Sequence, residues 1–169
     1  MSGTGNPETW SVGERDTVVA ALDRAVASHP DRIFLDFSGT FYTYREVDSL
    51  STKLANSLSD LGVSRGDTVV SMLDNNIDAV VCWLAINKLS AVSVPLNTAL
   101  RGEFLRHQIA DADSALMICE SKYLDRVAQI SDQLEKLELI LHRESLEDPL
   151  DCTIKVESLE DHRGTNETP

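Results

Sequence analysis

VVSMLDNNIDAVVCWLAINKLSAVSVPLN, residues 69–97, joins two short apolar runs through a longer one, with no glycine anywhere and no proline before Pro95. Residues 68–73 are too short for a helix and rich in β-branched side chains, so they read as a strand. Asp74, Asn75 and Asn76 then supply cap-type side chains for a helix over 77–89. That helix carries Val80, Val81, Trp83, Leu84 and Ile86, and an apolar helix without a polar face is expected to be buried all round. Residues 91–96 form the second strand. A strand, crossover helix and strand in this order predict parallel pairing and therefore an α/β fold, a largely parallel sheet flanked by helices.

Upstream, residues 1–13 read as a leader, punctuated by Gly3, Gly5 and Pro7. Val18, Val19, Leu22 and Val26 recur at helical spacing behind a cap at Asp16 or Thr17, and Pro30 closes that helix. Ile33, Leu35 and Phe37 alternate before Ser38-Gly39-Thr40, and Phe41-Tyr42-Thr43 follows, which predicts a hairpin. Thr43 and Glu46 have the capping-box spacing. Beyond them Val47, Leu50, Leu54, Ala55, Leu58 and Leu61 share one face, and Gly62 ends the helix. Arg65-Gly66-Asp67 reads as a turn.

Downstream, the pattern predicts a helix over 103–110, a strand over 115–119, a short helix over 123–130, and strands over 137–141 and 153–156. Val70, Val81, Leu84 and Val94 are assigned to the core, each contributing roughly 1.5–3 kcal/mol by burial. The chain divides into the leader 1–13, a folded unit 14–158 and a polar tail 159–169. Residues 131–169 hold 11 acidic and 4 basic side chains, a solvated composition.

The 169 residues are 42% apolar, enough for one globular core, and carry a net charge of −13. That charge repels a phosphate backbone and an anionic membrane surface, which argues for a small-molecule or protein partner and against nucleic acid. Cys82, Cys119 and Cys152 are widely spaced and form no CxxC pair, which fits a reducing, cytoplasmic compartment. The N-terminus has no apolar secretion segment, and no run is long enough to span a bilayer.

The motifs for chemistry are missing. The turn after the first sheet strand is Asp74-Asn75-Asn76, with no glycine to let backbone amides approach a phosphate. His29, His107, His142 and His162 never fall at metal-ligand spacing. No serine sits in a GxSxG elbow, and the pairs Asp111/Asp113 and Glu147/Asp148 look like helix ends or loops.

The segments TYREV at 43–47, LGVSRGDTV at 61–69, LDNN at 73–76 and KLSAVSVPLN at 88–97, in this order and spacing, resemble the N-terminal part of the adenylate-forming, AMP-binding superfamily of acyl- and aryl-CoA synthetases, luciferases and adenylation domains. The resemblance covers residues 14–140, and LDNN with Cys82-Trp83 leans toward ligases of the carnitine or crotonobetaine type. It departs at Ser90, where the family usually has glycine.

Such a relative implies that a carboxylate attacks the α-phosphate of Mg·ATP to give an acyl-adenylate and pyrophosphate, and that the CoA thiol then displaces AMP to give a thioester. The resemblance implies ATP, Mg2+ and CoA for the full-length protein, with a carboxylic acid as substrate. It places the phosphate loop and catalytic lysine beyond residue 169, so no residue of this chain is assigned a catalytic or metal-ligating role. Asn97 and Thr98 lie where some members approach the CoA nucleotide. The chain is therefore expected to be an N-terminal subdomain that is inactive alone and binds no cofactor of its own. The rival is a dimerisation or partner-binding module, a homodimer formed through an exposed sheet edge. A doubly wound nucleotide binder, a third reading, predicts saturable affinity for ATP or NAD.

Overall fold

The computed structural model describes residues 17–146 and 150–163; the leader 1–13 and the Glu147/Asp148 pair lie outside them. Thr17 caps the first helix, α1 (Val18–Ser28), accepting a hydrogen bond from Ala20 N–H at 3.1 Å. β1 (Ile33–Phe37) and β2 (Thr40–Thr43) form the antiparallel hairpin. The capping box is made in full at the start of α2 (Tyr44–Asp60): Glu46 N–H donates to Thr43 Oγ1 at 3.3 Å, and Thr43 N–H donates to the Glu46 carboxylate at 2.7 Å.

The central unit then follows in the predicted order, as β3 (Thr68–Met72), α3 (Ile77–Lys88) and β4 (Val92–Pro95). After it come α4 (Gly102–Asp111), β5 (Leu116–Glu120), α5 (Leu124–Ala128), β6 (Leu139–Arg143) and β7 (Lys155–Ser158). The five strands β3 to β7 lie parallel in the order β4-β3-β5-β6-β7. Helices cover both faces. Val69, Leu116, Ile118 and Leu141 pack with Leu54, Leu58, Cys82 and Ile86 of α2 and α3, whereas Val70, Met72, Met117 and Ile140 pack with Leu105, Ile109, Leu124 and Val127 of α4 and α5. The hairpin and α1 join through a smaller cluster centred on Leu22, Val47 and Leu84.

Several sequence expectations shift, each for a local reason. The expected strands 137–141 and 153–156 begin two residues later, at Leu139 and Lys155. Leu137 and Ile154 are buried, but from the approach to each strand, and Leu137 N–H closes a turn onto Leu134 O at 3.1 Å. The helix expected over 123–130 is one turn of α5 flanked by 3-10 turns at Ser121–Tyr123 and Ser131–Gln133. Val94 is only partly buried because β4 is an edge strand, while Val70, Val81 and Leu84 are core. Trp83 is 44% exposed, so α3 is not covered all round. In the tail expected over 159–169, Leu159–His162 forms a 3-10 turn with Leu159 buried against Leu141 and Ile118 while Glu160 and Asp161 are exposed, and residues 164–169 lie outside the described residues.

Candidate functional site

The chain steps from β3 outward to β4, then crosses back to the far side of β3 to make β5. In an open parallel sheet that reversal leaves a crevice at the carboxyl ends of the two strands, the usual place for a ligand. Here the residues at the strand ends are Asp74 and Asn76 after β3, Glu120 closing β5 with Lys122 and Tyr123 after it, and Arg143 closing β6 with Glu144 after it.

They fill the crevice with one another. Glu120, 3% exposed, accepts from Asp74 N–H at 3.1 Å and Asn76 Nδ2 at 2.7 Å through one oxygen, and from Arg143 Nη1 at 3.1 Å through the other. Arg143 also donates to Asp78 in the first turn of α3 and to Glu144 at 2.5 Å. Burial works against the charged form of Arg143, yet its hydrogen bonds to Asp78 and Glu120 outweigh that and raise its pKa. Asp74 takes hydrogen bonds from Lys122 and from Tyr123 Oη, the latter at 2.7 Å, and these hold its carboxyl below the usual range. The Arg126 guanidinium lies over the Tyr123 ring, 4.6 Å from its centroid.

This last contact brings in the loop after β4. Arg126 Nη1 donates to the carbonyl oxygen of Thr98 at 2.7 Å, so Thr98 is tied to the crevice cluster through Arg126 and Tyr123. Asn97 is exposed, and its side chain accepts from Ala99 N–H at 2.8 Å, shaping the loop as an Asx turn. Asp78, Glu120 and Arg143 belong to none of the sequence motifs for chemistry. A signal existed: Glu120 and Arg143 are the charged residues closing the apolar strands LMICE and LILHR.

The residues present do not fit a nucleotide triphosphate or its metal. Lys122 is paired with Asp74, Arg143 with Asp78, Glu120 and Glu144, and Arg163 with Asp78, so these cations are already taken by carboxylates that a phosphate would have to displace. One amide of the first turn of α3 is also taken, with Ala79 N–H donating to Asn76 Oδ1 at 3.1 Å. Among the described residues, no group of three or more His, Cys, Asp or Glu side chains is placed to hold a metal ion. Cys82 and Cys119 are buried thiols pushed up to about 12 by desolvation, which removes them as nucleophiles. Asp111 and Asp113 are the end of α4 and the turn after it. A cleft of about 490 Å3 at the amino edge, lined by Asp67, Asp113, Lys136, Glu138 and Lys155, mixes both charge signs. No helix among the described residues is long and apolar enough to cross a membrane.

Comparison with known proteins gives this layer its family. The chain is 37% identical over 107 residues to a medium/long-chain-fatty-acid–CoA ligase of Mycobacterium tuberculosis, an alignment covering 63% of this chain and 18% of that protein. It is 33% identical over 94 residues to surfactin synthase subunit 2 of Bacillus subtilis, covering 56% of this chain and 3% of that protein. Its fold matches the crystal structure of the anthranilate CoA ligase AuaEII, in complex with anthranoyl-AMP, with a TM-score of 0.78 at 23% identity, covering 86% of this chain and 27% of that one. The chain thus spans about a fifth of the length of the curated CoA ligase it matches. The sequence model of the AMP-binding enzymes matches residues 22–168, nearly the whole chain. On that match, carried by the same parallel layer, this chain belongs to the family of AMP-binding enzymes.

Proposed function

We propose that the chain is the N-terminal portion of an ATP-dependent acid–CoA ligase and that it does not adenylate a carboxylate by itself. The observation that carries this reading is the family match over residues 22–168 on a layer whose carboxyl-edge crevice is closed by its own ion pairs. In the full-length ligase ATP and Mg2+ activate a carboxylic acid as its adenylate and CoA takes the acyl group. The residues of this chain support that chemistry only as a scaffold. Asn97 and Thr98 stand beside the CoA nucleotide in this reading, supported by their place on the loop after β4 and by the anchoring of Thr98 through Arg126. The fatty-acid branch is supported by the relatives named for such acids, in Mycobacterium tuberculosis and Mycobacterium marinum. A cytoplasmic setting is supported by three cysteines free of disulfides.

Pyrophosphate release with Mg·ATP and a panel of fatty acids, carnitine and crotonobetaine tests the reading. No turnover is expected from this chain, and robust turnover on any acid refutes the inactivity. A second reading, the homodimer, is favoured by one observation: among the described residues β4 is an edge strand pairing only with β3, and its Val92 is 49% exposed. Light scattering separates the two, since a discrete dimer that Val92→Lys dissolves supports the module and a monomer supports the ligase portion.

A further inference from the structure

Arg163 is the point where the last described turn meets the crevice. Asp78, with a side chain 6% exposed, is shared between two guanidiniums: Oδ2 accepts from Arg143 Nε and Oδ1 pairs with Arg163 Nη2 at 2.8 Å. Through Arg143 the same chain of contacts reaches Glu120, then Asn76 and the backbone of Asp74. A residue following β7 is thereby coupled to the start of α3 and to the carboxyl ends of β3, β5 and β6.

The charges make this coupling one-sided. With Arg163 in place Asp78 has two guanidiniums, Arg143, which also serves Glu120 and Glu144, and Arg163, which also faces Glu160; without Arg163, Asp78, Glu120 and Glu144 share Arg143 alone. A buried carboxylate that loses a partner keeps its desolvation cost and gains the repulsion of its neighbours. Arg163 also faces a second carboxylate. Arg163 Nε lies 2.9 Å from Glu160 Oε1 but is not aligned for a hydrogen bond and is the one buried side-chain polar atom among the described residues without such a partner. Beneath it the turn Leu159–His162 is held by burial of Leu159 and by the contact of His162 Nε2 with Glu157 at 2.7 Å.

We propose that Arg163, carried on the turn Leu159–His162, is a latch on the carboxyl-edge crevice. While it grips Asp78 the crevice is packed with protein side chains. When it lets go, the first turn of α3 and the Asp74–Asn76 loop loosen together and the space between β3 and β5 opens. The inference rests on the geometry of this chain and stands whether or not the ligase reading does.

Amide hydrogen exchange on the full chain tests it. In Arg163→Gln, exchange over residues 74–79 is expected to quicken about tenfold or more, while β5 and α4 keep their protection. Arg163→Lys, which returns a cation to Asp78, restores part of the protection. Arg106→Gln, which removes the exposed pair with Glu103, leaves residues 74–79 unchanged. Unaltered exchange over 74–79 in Arg163→Gln, or a rise spread evenly through β5 and α4, overturns the latch. Should Arg163→Gln not fold, Leu159→Val loosens the turn from beneath without touching a charge, and the same segment decides.

Discussion

β5 and β1 are both five-residue strands, LMICE and IFLDF, each apolar apart from one acidic residue. All five residues of β5 are buried and none of β1 is. The difference is one of neighbours. β5 lies between β3 and β6 with helices over both faces, whereas among the described residues β1 pairs with β2 alone and reaches the cluster of α1, α2 and α3 through Leu35. Ile33 and Phe41 are more than half exposed, and Phe34, also exposed, stacks on Tyr44 with ring centroids 4.6 Å apart. An apolar strand sequence supplies surface that can be buried, and the layers decide whether it is.

Mutations can break or sharpen this contrast. Ile118→Ala in β5 opens a cavity between the sheet and α3 and is expected to cost about 2–5 kcal/mol in urea unfolding. A loss below about 1 kcal/mol would mean that the centre of the sheet is no better packed than the hairpin. The entries to β3 and β4 give the next largest effect. α2 and α3 end alike: Val63 N–H donates to Leu58 O at 2.9 Å and Ala91 N–H to Ile86 O at 3.1 Å, around Gly62 at φ 95° and Ser90 at φ 56°. Ser90 carries a left-handed strain that glycine lacks, so Ser90→Gly is expected to raise the unfolding free energy by up to about 1 kcal/mol, read as a higher unfolding midpoint. An unchanged midpoint would show the strain is absorbed.

Phe41→Ser on the hairpin should change stability by no more than about 0.5 kcal/mol. A larger loss would show that the hairpin buries this ring in solution. The smallest effect is one of pH. The Asp74 carboxyl is held below its ordinary 3.8 by Lys122 and Tyr123, so its contribution is complete above that value and fades as pH falls through the lower folded value. Since the side chain is 37% exposed, the amount is under about 1 kcal/mol. Acid titration of Asp74→Asn should lack this component, and identical acid unfolding curves would refute it.

Much of the fold was legible along the chain because its signals are local. The capping box at Thr43 and Glu46, the helix end at Gly62 and the strand–helix–strand of residues 69–97 each depend on a few adjacent residues, and each is present. The errors sit where an apolar residue serves the core without belonging to an element, as Leu137 and Ile154 do. The crevice was less legible. Asp74 and Asn76 read as caps, and Asn76 is one, yet nothing near them in sequence announces Glu120 and Lys122, which lie 44 and 48 residues away.

What the sequence determined by itself is the order of strands and helices, their parallel pairing and the family resemblance, because periodicity, capping and motif spacing are written in neighbouring residues. Only the tertiary structure decided which strands lie at an edge, that α3 leaves Trp83 in solvent, and that Asp78 joins Arg143 to Arg163. The reason is physical: burial and charge pairing depend on distances in space, and residues 65 and 85 positions apart meet only once the sheet has set its strand order.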